Sequence, residues 1–444
     1  MPAGGRAHDP HGGSARVTAA FGVNLAGHLT SPQGLGVAAR HTAHVLDERG
    51  TPWAGVDVPT PVPATHPVRL LASRCVSPAT LAPHGVNLLH LNPPEVLELL
   101  WARPHWLDTE ARVTACVPFW EFPHLPPSWL DGVACMDAVL APSRFIEAVV
   151  RRALPELPVF HFAQAVWLPA GIRADRARFG LPANSCLFVT AYDTRSDSAR
   201  KNPLGALEAF TRAFSDFRAG VGLVVRVQHA RGAAAEPGSA ERELRARAAA
   251  DARVRLVDEP LAHDDVLALV ASCDAYVSLH RAEGLGLGPL EAMTLGRPAV
   301  ATAWSGNLDY MTAEDSLLVP AREVPVRGTS IGAYRADRMG ARQTWAEPDV
   351  DAAAAHLRTL AGDPELRARL GERAAAAAAR QQQLAQAGIA LDELRALSEA
   401  RAAGTVPWPG RAAARARVAR RRLSRRARRL LVNLARAVGV GARP

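Results

Sequence analysis

Residues 281–302 read RAEGLGLGPLEAMTLGRPAVAT. Glu283 and Glu291 stand eight positions apart, with Gly284, Gly286, Gly288 and Pro289 between them. The run before them, DAYVSLH (274–280), is β-rich, and PLEAMTLG (289–296) has the composition of a helix. A second β-rich run, PAVATAW (298–304), follows. Strand, glycine loop, helix and strand in this order define an α/β unit with Glu283 in the loop at a strand's carboxyl end. Gly284 and Gly286 let backbone approach a ligand without a Cβ in the way. Pro289 suits the first helical position, so Gly288 is the expected cap and Glu291 is expected in the first turn. Free N–H groups at a helix start favour an anion. Carboxylates beside such a cradle suit hydroxyl groups, as on a sugar or a ribose. A plainer reading also fits: Glu291 complements the helix dipole and Glu283 is a solvated loop acid.

The same rhythm runs outward in both directions. VTAAFGVNL, WAGVDV, VRLLAS, VNLLHLN, RVTACVPF and DAVLAPS read as buried strands in the first half. The helical stretches GLGVAARHTAHVLDERG, PPEVLELLWA and SRFIEAVVRRAL lie among them. The rhythm breaks over VWLPAGIRADRARFGLPANS (166–185) and restarts with CLFVTAYD, GLVVRVQ and RVRLVDEP. The expected organisation is a leader at 1–17, a Rossmann-like domain at 18–167 and a linker at 168–184. A second Rossmann-like domain with terminal helices follows at 185–402, and a basic tail at 403–444. Ligands of two such open sheets belong at the strands' carboxyl ends, in the cleft that the domains share.

Composition sets limits. At 444 residues the chain is too long for one core, and 48% of it is hydrophobic. No apolar run is long enough to span a bilayer, and the first residues lack a signal-peptide core. The five cysteines have no metal-ligand spacing and suit a reducing compartment, so the cytoplasm is the expected location. The net charge is +9, but residues 411–444 hold twelve arginines and no acid, which leaves the rest near 9 − 12 = −3. The body is therefore not expected to bind nucleic acid. In the tail, Leu423, Ala427, Leu430, Leu434 and Val438 form one apolar helical stripe flanked by arginines. Such a helix suits an anionic membrane surface. A disordered end, a helix packed back on the N-terminal domain and a nucleic-acid arm are the competing readings.

A second loop, AYDTRSDSARKNP (191–203), brings Arg195, Arg200 and Lys201 to another strand's carboxyl end, where they could clamp a diphosphate. A basic loop alone is often solvated surface. Together with the acid–glycine loop it suits a nucleotide diphosphate-sugar.

These residues carry a resemblance. Glu283 and Glu291, with seven residues between them, resemble the E-x7-E element of family four of the retaining glycosyltransferases. Arg195 and Lys201 resemble that family's diphosphate-binding pair. YDTRSDSARKNPLGALEAFTRAF, WSGNLDYMTAEDSLLVP, WAEPDVDAAAAHLRTL, PFWEFPHLPPSWL and APSRF resemble a bacterial branch of the family. The likeness spans roughly residues 20–395.

The resemblance implies a GT-B fold and sugar transfer with retention, from a nucleotide diphosphate-sugar to a glycan or lipid-linked acceptor. It implies that Arg195, Lys201 and the amides of Gly286, Leu287 and Gly288 hold the diphosphate. Glu291 would accept from the ribose and Glu283 from the transferred sugar. No metal or other cofactor is implied, because cationic side chains stabilise the leaving group. The base would lie near Asp258–Leu261, and Gly34 and Gly36 would face the donor phosphate. His90 and Asn92 stand at a strand end, where His90 could touch an acceptor or serve structure alone. Many members carry a histidine where this chain has Glu121 and Trp120, so Glu121 becomes the acceptor-side candidate. His124 lies three residues on, and core packing is the alternative for Trp120. The rival functions are a non-catalytic sugar-nucleotide binder and nucleic-acid binding through the tail.

Overall fold

The computed structural model describes residues 21–60, 72–76, 82–102, 112–216, 220–229, 239–327, 329, 334–335, 339, 343–405 and 410–420. The N-terminal sheet contains β1 (Val23–Gly27), β2 (Trp53–Asp57), β3 (Val86–His90), β4 (Val113–Cys116), β5 (Ala138–Ala141) and β6 (Val159–His161), in the order β2-β1-β3-β4-β5-β6. All neighbouring strands are parallel. The C-terminal sheet contains β7 (Cys186–Asp193), β8 (Val221–Gln228), β9 (Val254–Val257), β10 (Ala275–Ser278), β11 (Ala299–Thr302) and β12 (Leu317–Val319), in the order β12-β11-β10-β7-β8-β9. It too is parallel throughout. An antiparallel pair, β13 (Ala321–Pro325) and β14 (Thr344–Pro348), follows.

Parallel strands covered on both faces must be apolar along their length. Accordingly β1 is buried at all five positions, and β8 at seven of its eight. Each sheet has one core on either face. Strand order reverses between β1 and β3 in the first sheet and between β7 and β10 in the second. Those crevices are where open α/β sheets bind ligands.

Helices Val350–Gly362, Pro364–Ala387 and Ile389–Ala402 close the chain's globular part. The last of them, grouped by sequence with the second domain, packs on the first sheet. Its Leu391 and Leu394 share a core with Leu88, Val113 and Leu140. Arg49 Nη2 reaches Asp392 Oδ1 at 2.7 Å across the same seam.

Several local expectations change. Within VRLLAS, Ala72–Arg74 form a 3₁₀ turn, and residues 68–71 lie outside the described residues. Among the described residues that follow, Cys75 bridges to Gly55 of the sheet. β6, β12 and the β13–β14 pair were not read from the sequence. Residues 1–17 and the apolar stripe at 423–438 lie outside the described residues. The start of the tail does not stand free: residues 410–420 are helical, and Ala414 and Val418 join the N-terminal core beside Cys135 and Met136. Arg411 and Arg401 both ion-pair with Asp137, a fully buried carboxylate. No described helix is long and apolar enough to cross a membrane.

Candidate functional site

The basic loop is shaped by two residues in positive-φ backbone, Asp197 (φ 67°) and Asn202 (φ 52°). Asp197 Oδ1 accepts from the amides of Ala199 (3.0 Å) and Arg200 (3.2 Å), starting the one-turn helix Ser198–Lys201. Asn202 ends that turn and caps helix Pro203–Ala213, accepting from Gly205 N at 3.1 Å and donating to Leu279 O at 2.8 Å. These caps point Arg200 and Lys201 from the end of β7 toward the loop after β10.

Lys201 Nζ donates to Glu283 Oε1. Arg200 is buried and donates to Ala282 O at 2.8 Å and Ser196 O at 3.1 Å. Its Nη1 is 3.4 Å from Glu283 Oε2, and its Nη2 is 3.6 Å from Glu121 Oε1. Arg200 therefore joins the carboxylates of both domains instead of standing open to a phosphate. Burial opposes ionisation of Glu283, but Lys201 and Arg200 outweigh it and hold its pKa at about 2. Glu121 goes the other way: burial raises its pKa despite Arg200. Its two oxygens accept from the Tyr334 hydroxyl at 3.0 and 2.9 Å.

Arg195 lies apart from this cluster. Its side chain is exposed and ion-pairs with no carboxylate among the described residues. Thr194–Ser196 form a 3₁₀ turn in which Asp193 binds the Arg195 amide at 2.9 Å. The turn leaves Arg195 on the outer lip of the loop.

The glycine loop fits tightly. Gly286 has φ 85° and is the N-cap of helix Leu287–Thr294, with its carbonyl accepting from Tyr310 Oη. The cap thus lies two residues before the expected one at Gly288, and Glu291 stands past the first turn. The left-handed backbone at Gly286 decides this, because Leu287 and Gly288 already have helical geometry ahead of Pro289. Gly288 is needed for packing: a Cβ there would lie 2.5 Å from Tyr276 Oη. Ser143 of the first domain donates to Gly284 O at 2.6 Å.

Glu291 is buried 3.2 Å from His263 Nε2, and its Oε1 takes no hydrogen bond within the chain. Burial pulls the His263 pKa down, and the Glu291 charge more than reverses this, so the pKa is raised. Across the cleft, Arg40 donates to Leu29 O (3.1 Å) and Ser31 O (2.6 Å), which secures the loop before helix Gly34–Glu48. Gly34 is open, whereas a Cβ on Gly36 would lie 2.3 Å from Ser31 O. Gly34 therefore faces open space, and Gly36 lets helix and loop pack.

The remaining candidates divide. Asp258 is taken up by an ion pair with Arg245. His90 is fully buried, bonded through Nε2 to Thr42 Oγ1 at 2.8 Å, and burial lowers its pKa to about 3. It is a core histidine. Asn92 supports the acceptor-side loop by accepting from Phe119 N at 3.0 Å. Trp120 is a core residue packed on Trp129 and Phe122. The exposed His124 enters the network through its backbone, which Gln343 binds at 3.2 and 2.9 Å. Among the described residues no cluster of histidines, cysteines and acids could hold a metal ion. Tyr334 and His263 carried no local signal. Each becomes visible only through the carboxylate it faces.

Two parallel Rossmann-like sheets, and a C-terminal helix returning to the first domain, define the GT-B class of fold. Residues 206–329 match the family model described as "Glycosyl transferases group 1". The fold is similar to sucrose-phosphate synthase from Thermosynechococcus elongatus, with a TM-score of 0.57 and 16% identity over 85% of this chain and 100% of that one. It is also similar to Anabaena HepE in complex with UDP and glucose, with a TM-score of 0.54 and 15% identity over 85% and 100% of the two chains. The pneumococcal O-GlcNAc transferase GtfA aligns with a TM-score of 0.45 and 14% identity over 70% of this chain, which spans 56% of that longer protein. No curated protein matches the sequence.

Proposed function

We propose that the chain is a retaining glycosyltransferase that moves a hexose-type sugar from a nucleotide diphosphate-sugar to a glycan or lipid-linked acceptor in envelope or polysaccharide synthesis. The observation that carries this reading is the meeting of Lys201 and Arg200 with Glu283 at the reversal point between β7 and β10, beside a capped glycine loop. The family match over residues 206–329 and the GT-B fold support the same reading.

In this reading the diphosphate lies against the amides of Leu287 and Gly288 at the helix start, with Lys201 turned from Glu283 toward it. Arg195, on the lip, closes over the outer phosphate. Glu291, with His263 beside its Oε1, accepts from the ribose. Glu283, ionised over the whole working pH range, accepts from the transferred sugar. The glycosidic bond to the diphosphate breaks as Lys201 and the helix amides stabilise the departing charge. The acceptor oxygen attacks from the same face, and its proton passes to the leaving phosphate. Glu121 lines the acceptor side. Cationic side chains and backbone amides supply the leaving-group stabilisation, so metal-independent transfer belongs to the proposal.

Residues 421–444 carry eight of the tail's twelve arginines, and we place them at an anionic membrane surface, where a lipid-linked acceptor would reside. The deciding experiment is a thermal-shift screen of nucleotide sugars, followed by transfer assays with the best donor and assignment of the product's anomeric configuration. Inverted configuration rules out retention, and no shift with any nucleotide sugar rules out the donor class.

A further inference from the structure

Tyr334 lies in the excursion between β13 and β14 of the second domain, and its hydroxyl lands on Glu121 of the first. Its ring stacks on Trp120 (6.0 Å between centroids, 20° between planes) and meets Phe122 edge-on at 5.7 Å. The Arg200 guanidinium carbon stands 5.2 Å from the ring centroid on the second domain's side. Gln343, at the far end of the same excursion, grips the backbone of His124. Tyr334 and Gln343 thus both hold the loop that carries Glu121.

We propose that Tyr334 is a positioning residue that holds Glu121 of the first domain against Arg200 of the second and so completes the transfer site. Its hydroxyl and ring hold Glu121 against Arg200, and Arg200 in turn holds Glu283 where the donor sugar binds. This inference rests on the transferase reading above.

The physical argument starts from Arg200. A fully buried guanidinium needs fixed anionic partners, because leaving one charge unpaired in the interior is costly. Glu283 supplies one partner from within the second domain. Glu121 supplies the other from the first domain. At 3.6 Å the contact between Arg200 and Glu121 is an ion pair without a hydrogen bond, so it does not fix the carboxylate's orientation. The Tyr334 hydroxyl does, because it is shared by both oxygens. The groups facing Glu121 are Arg200, Lys201, Glu283 and Tyr334. Burial and Glu283 disfavour its ionised form, whereas Arg200, Lys201 and the phenol favour it. Loss of the phenol leaves a carboxylate that protonates more readily and so releases Arg200.

Tyr334→Phe keeps the stacked ring and deletes the hydroxyl. The expected result is a fall in kcat of about tenfold or more, with the acid limb of the kcat profile moved to higher pH. Nucleoside diphosphate affinity should change less than about twofold, because the partners of Tyr334 (Glu121, Trp120, Phe122 and Arg200) are not the groups assigned to the diphosphate. In a double-mutant cycle, Tyr334→Phe should cost nothing further in a Glu121→Gln background, since the two act as one unit. Tyr334→Leu, which also removes the ring, serves as the packing control and should lower stability where Tyr334→Phe does not. An unmoved acid limb, or additive losses in the cycle, overturns the inference while leaving the transferase reading intact. An inactive parent protein with every donor overturns both.

Discussion

His263 Nε2 stands 3.2 Å from Glu291 Oε1, joining the first residue of helix His263–Ala271 to the helix that follows the glycine loop. Glu291 is the carboxylate assigned to the ribose, and this imidazole is its charged neighbour in the second domain, with Asp264 beside it and Arg40 and His41 facing from the first. Because the folded-state pKa of His263 is raised above the unfolded value, the pair adds stability below pH of about 6.5, and that stability is lost as pH rises through the folded pKa. His263→Gln should flatten this part of the stability-versus-pH curve and cost about 1–3 kcal/mol at the low end by leaving a buried carboxylate without its partner. Urea unfolding from pH 5 to 8 measures it. Parallel curves for variant and parent would show that the two groups do not interact.

Lys201→Ala tests the diphosphate clamp. It should weaken both the donor and free nucleoside diphosphate by roughly 1.5–3 kcal/mol, the range of a charge-assisted contact. The variant should also raise the Glu283 pKa from its low value, since Lys201 is its strongest counter-charge. Calorimetric titration with nucleoside diphosphate gives the first quantity. Unaltered affinity removes Lys201 from the site.

The two acids should separate cleanly. Glu283→Gln should depress turnover and leave nucleoside diphosphate binding nearly intact, because that ligand has no transferred sugar. Glu291→Gln should weaken even the bare nucleotide, by about 1 kcal/mol or more for a lost hydrogen bond to a charged group. Identical behaviour of the two variants would contradict the assigned roles.

Gly34 and Gly36 make opposite predictions despite their spacing. Gly36→Ala should destabilise the first domain, because its Cβ would meet the carbonyls of Ser31 and His28 at 2.3 and 2.5 Å. Gly34→Ala meets nothing and should leave thermal stability unchanged or slightly higher, at about 1 kcal/mol for removing a helical glycine. If the donor passes close to Gly34, the same variant will bind it less well. Melting curves with and without nucleotide sugar separate the two effects.

The tail divides at residue 420. A chain ending there should keep its stability and lose binding to vesicles that contain anionic lipid. A chain ending at Ala403 should also lose about 1–3 kcal/mol, because Asp137 loses Arg411 and the core loses Val418. Flotation that persists with the 420-residue chain would place any membrane contact elsewhere.

The sequence by itself determined the α/β rhythm, the two sheets, the strand-end placement of Glu283, Arg200 and Lys201, and the place of Glu291 in the helix after the glycine loop. These follow from short-range chemistry: buried parallel strands must be apolar, and glycine loops and caps act within a few residues. Only the tertiary structure decided what these groups touch. Arg200 reads as one more cation in a basic loop, yet it is buried between carboxylates of two domains, and Arg195 takes the exposed place. Tyr334 and Glu121 are 213 positions apart, so no local pattern could pair them. The helix cap falls at Gly286, where left-handed backbone starts the helix and Tyr310, from a distant turn, donates to its carbonyl. The tail's charge was plain in the text, but its first helix is docked where the fold buries Asp137, which pairs with Arg401 and Arg411. A buried charge selects its partner in space, and that choice is made only once the chain has folded.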